Sequence, residues 1–185
     1  MDLWACVFAS PIGGMMMDAA AKGDGLAVVT FRLGGHSFGF GAEWVAEVVP
    51  NAWLARPPAL PAMAAGLLDL GGTAITVLRG DLLLGLPEQS FGLDASILVM
   101  KGQKGRVGLL TGRVDGVRDL QAFTYQPVDG DHNFQGCLRA QLVSDGFVVH
   151  LLDWPRMLGA EEQARLAEFE DRTAQRLALW DDAPS

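Results

Sequence analysis

Three histidines and two cysteines are the residues of this chain best suited to chemistry, but their spacing forms no familiar site. His36, His132 and His150 do not combine with carboxylates or cysteines in a metal-binding motif, and Cys-x-x-Cys and His-Glu-x-x-His do not occur. A phosphate-binding loop and a Gly-x-Gly-x-x-Gly motif are also absent from the sequence. We therefore predict no catalytic residue, no metal site and no cofactor, and we expect a protein that is not an enzyme.

The same residues have structural explanations. His150 alternates with apolar residues in a predicted strand, and Cys137 lies in an apolar run where cysteine acts as a small hydrophobe. Residues 129–131 are acidic but lack the other ligands of a calcium loop, so they predict a solvated turn. An enzyme stays open as an alternative only if folding brings a histidine within hydrogen-bonding reach of a carboxylate in a pocket.

Length, hydrophobic content and net charge indicate the size of the core and exclude some classes of binding partner. The chain has 185 residues, of which 50% are hydrophobic, and a net charge of −8. This predicts one well-cored domain or two small, closely packed ones. Because nucleic-acid binding depends on cationic side chains, the charge argues against DNA or RNA as a partner, and against a polybasic membrane surface.

The sequence predicts a cytoplasmic protein. No window approaches the roughly 20 apolar residues needed to cross a bilayer. The first 24 residues predict a flexible leader, and Cys6 falls in it, so a framework disulfide with Cys137 is not expected. We expect no direct membrane insertion.

Short apolar runs separated by glycine pairs predict a mainly β protein. Residues 29–40 form one hairpin around Gly34-Gly35, and residues 66–78 form a second around Gly71-Gly72. Residues 80–87 predict one short helical turn, and further hairpins are expected over residues 95–110 and 137–152. Many short strands at hairpin spacing indicate an all-β barrel or sandwich.

The C-terminal region differs in pattern. Residues 161–180 contain no glycine or proline and predict a helix. Its apolar side chains form a narrow stripe, made of Leu166, Phe169, Leu177 and Trp180. Since an isolated helix of this kind gains little stability, we expect it to pack on its own domain, or alternatively on a partner.

The order and spacing of these elements resemble the CheW family, the coupling proteins of bacterial chemosensory systems. The resemblance runs from residue 26 to residue 158. Val45-Ala46-Glu47-Val48-Val49 is similar to the family's Val-x-Glu-Ile/Val segment. Gly66-Leu67-Leu68-Asp69-Leu70-Gly71-Gly72 is similar to its Gly-x-x-Asn-Leu-Arg-Gly. Residues 106–117 resemble its Val-Gly-Leu-Val-Val-Asp-x-Val-x-Gly-Val, and residues 148–158 its closing strand and short helix.

The resemblance implies two small SH3-like five-stranded β-barrels packed over a shared core, with short helices and a C-terminal helix. It places a CheW-like domain over residues 25–159, between the leader (1–24) and a C-terminal helix (160–182). It also implies a non-enzymatic scaffold that couples chemoreceptors to a CheA-type histidine kinase. The partners would be the kinase's regulatory domain and the cytoplasmic tip of the receptors.

The matching motifs supply the candidate protein-binding residues, which are Val45, Glu47, Val48, Gly66, Asp69, Gly71, Val107, Gly108 and Val114. Asp69 stands where the family has Asn, and Gly71 where it has an Arg used in array contacts. Glycine cannot replace the directional pairing of a guanidinium, so we expect the fold to be inherited more faithfully than the interface. An alternative is a diverged module that binds a different protein through the C-terminal helix.

Overall fold

The computed structural model describes residues 27–58, 60–102, 105–128 and 134–157. The strands in this part of the chain are β1 (Ala27–Leu33), β2 (His36–Gly41), β3 (Val45–Pro50), β4 (Ala64–Leu70), β5 (Thr73–Arg79), β6 (Ser96–Lys101), β7 (Arg106–Thr111), β8 (Val114–Asp119), β9 (Thr124–Pro127), β10 (Leu138–Ser144) and β11 (Phe147–Leu152). Two one-turn helices, α1 (Gly80–Leu83) and α2 (Trp154–Met157), follow β5 and β11. The expected leader and C-terminal helix lie outside the described residues.

Two sheets contain all of these strands. One has six strands in the order β8-β1-β2-β11-β10-β9, and the other has five in the order β3-β6-β7-β5-β4. The predicted mainly β fold with short helices is confirmed, and the two sheets are consistent with the expected pair of packed SH3-like units. The hairpins around Gly34-Gly35 and Gly71-Gly72 are also confirmed. The sixth strand of the larger sheet, β9, had not been predicted.

The two sheets repeat one pairing pattern. From β3 to β4 the neighbouring pairs are antiparallel, antiparallel, parallel and antiparallel. From β8 to β10 the same series occurs. A short helix follows the equivalent strand in each sheet, α1 after β5 and α2 after β11. The five-stranded units therefore match in topology, and β9 extends one of them at its edge.

Apolar side chains form three clusters, one within each sheet and one between the sheets. The shared cluster joins Phe31, Phe38 and Phe40 of the larger sheet to side chains of the smaller sheet such as Leu98 and Met100. The ring of Phe31 stacks on the rings of both Phe38 and Phe40. The shared core means that the sheets pack as one body, which fixes the position of α1 relative to α2. None of the helices in the described residues is long and apolar enough to cross a membrane.

Candidate functional site

Strand β3 forms one edge of the five-stranded sheet and presents an exposed carboxylate. The pairing with β6 shifts by one residue between Val45 and Glu47, so Ala46 is a bulge. The extra residue turns Val45 and Val48, three positions apart, toward the same shared cluster. Ala46 and Glu47 are exposed, and no ion pair involves Glu47 within the described ranges. The strand therefore offers a rigid backbone edge with a solvated negative charge.

Three of the sequence-predicted site residues lie on one line across this sheet. The successive pairing partners from β3 to β4 are Glu47, Val99, Gly108, Val77 and Gly66. At a strand spacing of about 4.8 Å, the outer two are roughly 19 Å apart along the sheet. Glu47 and Gly66 thus belong to opposite edges, and Gly108 lies at the centre.

Gly66 allows a connecting segment to lie against the β4 edge. A Cβ at this position would come within 2.6 Å of the Cβ of Leu54 and 2.8 Å of the carbonyl oxygen of Ala55. Ala55 and Leu67 exchange two backbone hydrogen bonds, of 2.9 and 2.8 Å. The Nε of Arg56 adds a bond of 3.1 Å to the carbonyl of Ala65. The absent side chain at Gly66 therefore determines how closely the segment after β3 approaches β4.

The same segment carries an exposed aromatic residue that sequence reasoning missed. Trp53 is 84% exposed, and Leu93, in the loop before β6, is fully exposed at 101%. Asn51 ties the two loops together, because its backbone N–H donates to Ala95 and its side-chain Nδ2 donates to Gly92. The sequence did contain a signal for this exposure, because Trp53 lies in a segment without the periodic pattern of a strand or helix that would bury it.

The tip of the β4–β5 hairpin is built by local turn chemistry. Gly71 and Gly72 have φ values of 62° and 84°, as a tight two-residue hairpin turn requires. The Oδ1 of Asp69 accepts a 2.8 Å hydrogen bond from the backbone N–H of Gly72. Asp69 therefore closes the turn. A Cβ at Gly71 would meet nothing within 4 Å, so this position faces open space.

The remaining candidate residues lie further inside the protein. Gly108 is buried, and a Cβ there would come within 2.8 Å of the Cγ2 of Val77. Val107 and Val114 are partly buried and pack against the shared cluster. Val114 begins β8, which is an edge of the six-stranded sheet. Binding roles for these three residues stay predictions, and Gly108 could influence a partner only by shaping the sheet.

A groove opens between the two sheets, next to their short helices. Its volume is about 450 Å³ and it is lined by Ala62, Met63, Leu82, Leu83, Gln135, Cys137, Arg156 and Met157. The first four residues precede β4 or lie on α1, and the last four belong to the segment before β10 or to α2. The groove is therefore an inter-sheet feature whose lining combines leucine and methionine side chains with the polar side chains of Gln135 and Arg156. Gln135, on its wall, has a left-handed backbone with φ of 58°, an arrangement that costs energy and is frequent at binding sites.

A buried ion pair fixes α1 at the side of the groove. The carboxylate of Asp81 is fully buried and accepts bonds from the guanidinium of Arg79 and from the backbone N–H groups of Leu82 and Gln89. Burial is the largest single influence and raises the pKa of Asp81, but these hydrogen bonds together outweigh it and the net pKa is lowered. The guanidinium also lies 5.6 Å from the ring centre of Phe91.

The histidines lie among aromatic rings. His150 is 5.9 Å from His36 and 5.1 Å from Phe134, measured between ring centres. Burial, and then the charge of His36, lower the pKa of His150. Within the described residues no hydrogen bond joins either histidine to a carboxylate, and the Nδ1 of His150 is buried without a partner. His132 lies outside the described residues.

One pentapeptide in this region has the spacing of a serine-hydrolase motif. Residues 35–39 read Gly-His-Ser-Phe-Gly, which matches the pattern Gly-x-Ser-x-Gly. The motif needs its serine on a sharp turn from a strand into a helix, whereas Ser37 lies within β2, paired with Arg32 of β1. In the part of the chain that the structure describes, no group of three metal-binding side chains occurs either.

Comparisons with known proteins agree with this architecture. Residues 27–162 match the family model of the CheW-like domain. A comparison with curated protein sequences gives no match. The chain is similar in structure to the crystal structure of the scaffolding protein TtCheW from Thermoanaerobacter tengcongensis, with a TM-score of 0.64 and 17% identity. That similarity covers 75% of this chain and 90% of the other, and it concerns the fold.

Proposed function

Because this chain belongs to the CheW-like domain family, we propose that it couples chemoreceptors to a CheA-type histidine kinase in a bacterial chemosensory pathway. The observation that carries the proposal is a CheW-like architecture that leaves a sheet edge and an inter-sheet groove open to partners. Two separate binding surfaces are what a coupling protein needs. In this proposal the protein works in the cytoplasm as a scaffold, with no chemistry of its own.

The kinase's regulatory domain would bind at the β3 edge. Among the described strands, β3 pairs with β6 alone and its other edge has no strand partner, and Glu47 adds an exposed charge. Trp53, in the segment that runs from β3 to the β4 edge, and Leu93, in the loop before β6, add exposed apolar side chains elsewhere on this sheet. Large aromatic residues of this kind are the usual anchors of protein interfaces. The backbone edge of β3 and the charge of Glu47 are therefore the features that support kinase binding there.

The receptor tip would bind in the groove between the sheets. The groove, of about 450 Å³, offers leucine and methionine side chains to the apolar face of a helix, and Gln135 and Arg156 to polar groups at its border. Receptor binding would then not compete directly with kinase binding, since the β3 edge and the groove are built from different residues. A ternary complex is the expected product.

Binding measurements with the cognate kinase regulatory domain and a receptor-tip fragment test the proposal. Glu47→Arg is expected to weaken kinase binding at least about tenfold, because a like-charge contact at an interface costs more than about 1.4 kcal/mol. Gln126→Arg places the same group on β9, an exposed edge of the other sheet, and is expected to leave binding unchanged. If the unaltered protein binds neither fragment, the proposal is wrong.

The alternative of a different partner held by the C-terminal helix concerns residues 161–180. Those residues lie outside the described part of the chain, so this alternative stays a prediction. Binding of an unrelated protein that survives Glu47→Arg and disappears when the segment is altered would favour it.

A further inference from the structure

We propose that residues 161–180 of the chain itself occupy the groove between the sheets. The segment would lie against α1 and α2 with its apolar stripe facing the groove. A partner helix would have to displace it before binding there. Occupancy of the groove by residues 161–180 involves this chain alone, whereas displacement by a partner helix rests on the function proposed above.

The described lining of the groove includes an exposed apolar side chain. Leu82 on α1 is 36% exposed, although Leu83 beside it is buried. Met63 and Met157 contribute flexible side chains that can adapt to an apolar occupant. An occupant that covers Leu82 would remove apolar surface from water at about 25 cal/mol per Å².

The described chain ends at the wall of this groove. Met157, the last described residue, is itself a lining residue. Three residues, 158–160, separate it from the predicted helix, and Gly159 among them accepts the backbone angles of a reversal. A connection of two to five residues is typical between antiparallel helices. Such a short tether gives an effective concentration of about millimolar, so even weak contacts would fill the groove.

The charges of the groove and of residues 161–180 are complementary. Among the described residues that line the groove, Arg156 is the charged one; its Nε lies 3.7 Å from a carboxylate oxygen of Asp153, and its side chain is still 65% exposed. Residues 161–180 contain five carboxylates and three arginines, so the segment carries a net negative charge. A second protein without this tether would have to compete against an occupant that is already local.

Hydrogen exchange on the full-length chain tests the occupancy, with no kinase or receptor present. In the unaltered protein, amides over residues 161–180 are expected to be protected independently of protein concentration. Leu82→Asp on the groove wall and Leu166→Asp on the stripe should each raise their exchange rates about tenfold or more, a loss of about 1.4 kcal/mol. The matched controls, Leu93→Asp outside the groove and Ala164→Asp on the opposite face of the predicted helix, should leave them unchanged.

Several results would overturn the inference. Exchange over 161–180 that is unaffected by Leu82→Asp would place the segment elsewhere, and protection that grows with concentration would assign it to a second copy. If Leu82→Asp also exposes amides of β5 and β7, Leu166→Asp decides, because it alters nothing in the described fold. The exchange experiment contains no partner, so a negative result would reject the occupancy of the groove and leave the proposed scaffold function untouched. Conversely, a failure to bind kinase and receptor fragments would reject the proposed function and leave the occupancy untouched.

Discussion

The guanidinium of Arg79 donates hydrogen bonds to both carboxylate oxygens of Asp81, two residues along the chain. Its Nε donates to Oδ1 at 3.1 Å and its Nη2 donates to Oδ2 at 2.6 Å. Asp81 also accepts from the backbone N–H of Gln89 at 2.7 Å, which ties α1 to the loop after it. Because α1 forms one wall of the groove, this pair links the stability of the fold to the shape of a binding surface.

Asp81→Asn should destabilise the protein by about 2–3 kcal/mol, because it removes the charge from a buried, multiply hydrogen-bonded carboxylate. Urea denaturation measures the change. Glu88→Gln is the matched control, since Glu88 pairs with the same Arg79 but its side chain is 72% exposed. An exposed pair contributes up to about 1 kcal/mol. Equal effects of the two substitutions would show that burial of Asp81 does not matter.

Acid should weaken the fold through the same carboxylate. Burial raises the pKa of Asp81 but its hydrogen bonds lower it further, so in the folded protein it lies below 3.8. The unfolded chain therefore binds the proton more readily. The stabilisation is complete above about pH 4 and is lost as the pH falls through the folded pKa. Denaturation at a series of pH values should show the difference between the unaltered protein and Asp81→Asn shrinking toward acid. A constant difference would contradict this.

His150 should make stability depend on pH nearer neutrality. Burial and the neighbouring His36 lower its pKa below 6.5 in the folded protein, so the unfolded chain takes up the proton first. The free energy of unfolding should therefore fall as the pH drops from about 7 to 5. His150→Phe, which keeps an aromatic ring beside Phe38 and Phe134, should reduce this loss. An NMR titration of the imidazole gives the pKa directly, and a value at or above 6.5 would contradict the prediction.

The hairpins could be predicted from the sequence because their causes are local. Gly71-Gly72 supplies two positive φ angles, and Asp69 supplies the hydrogen bond that closes the turn. Strand β9 could not be predicted in the same way. It has four residues, ends at Pro127, and is defined by its pairing with β10.

The groove could not be read from local pattern at all. Its lining comes from four separate stretches of chain that meet only because the two sheets pack on a shared core. The topological repeat between the sheets was also hidden, since it lies in the order of strand pairing and leaves no repeat in the residues. The lining residues of the groove and the exposure of Trp53 became visible only in the structure.

Gly66→Ala should destabilise the protein by about 1–3 kcal/mol and displace the segment that carries Trp53. The added Cβ would come within 2.6 Å of the Cβ of Leu54, and a contact that close forces the backbone to move. Denaturation measures the cost, and faster exchange of the Ala55 amide would show the lost bridge to Leu67. Gly105→Ala is the control, because a Cβ there meets nothing within 4 Å. Unchanged exchange at Ala55 would mean that the segment tolerates the side chain.

Gly71→Arg should strengthen assembly of the chain with the kinase and receptor fragments together severalfold, because it restores the guanidinium that the family uses in array contacts. The side chain would enter open space, and the backbone φ of 62° should cost about 1 kcal/mol of stability. Gly35→Arg is the matched control, since it adds the same charge at a hairpin glycine with φ of 81° and no neighbour within 4 Å. Calorimetric titration of both variants separates a specific contact from a general effect of charge. Equal gains in both would attribute the change to the net charge of −8 and leave Gly71 without a role in the interface.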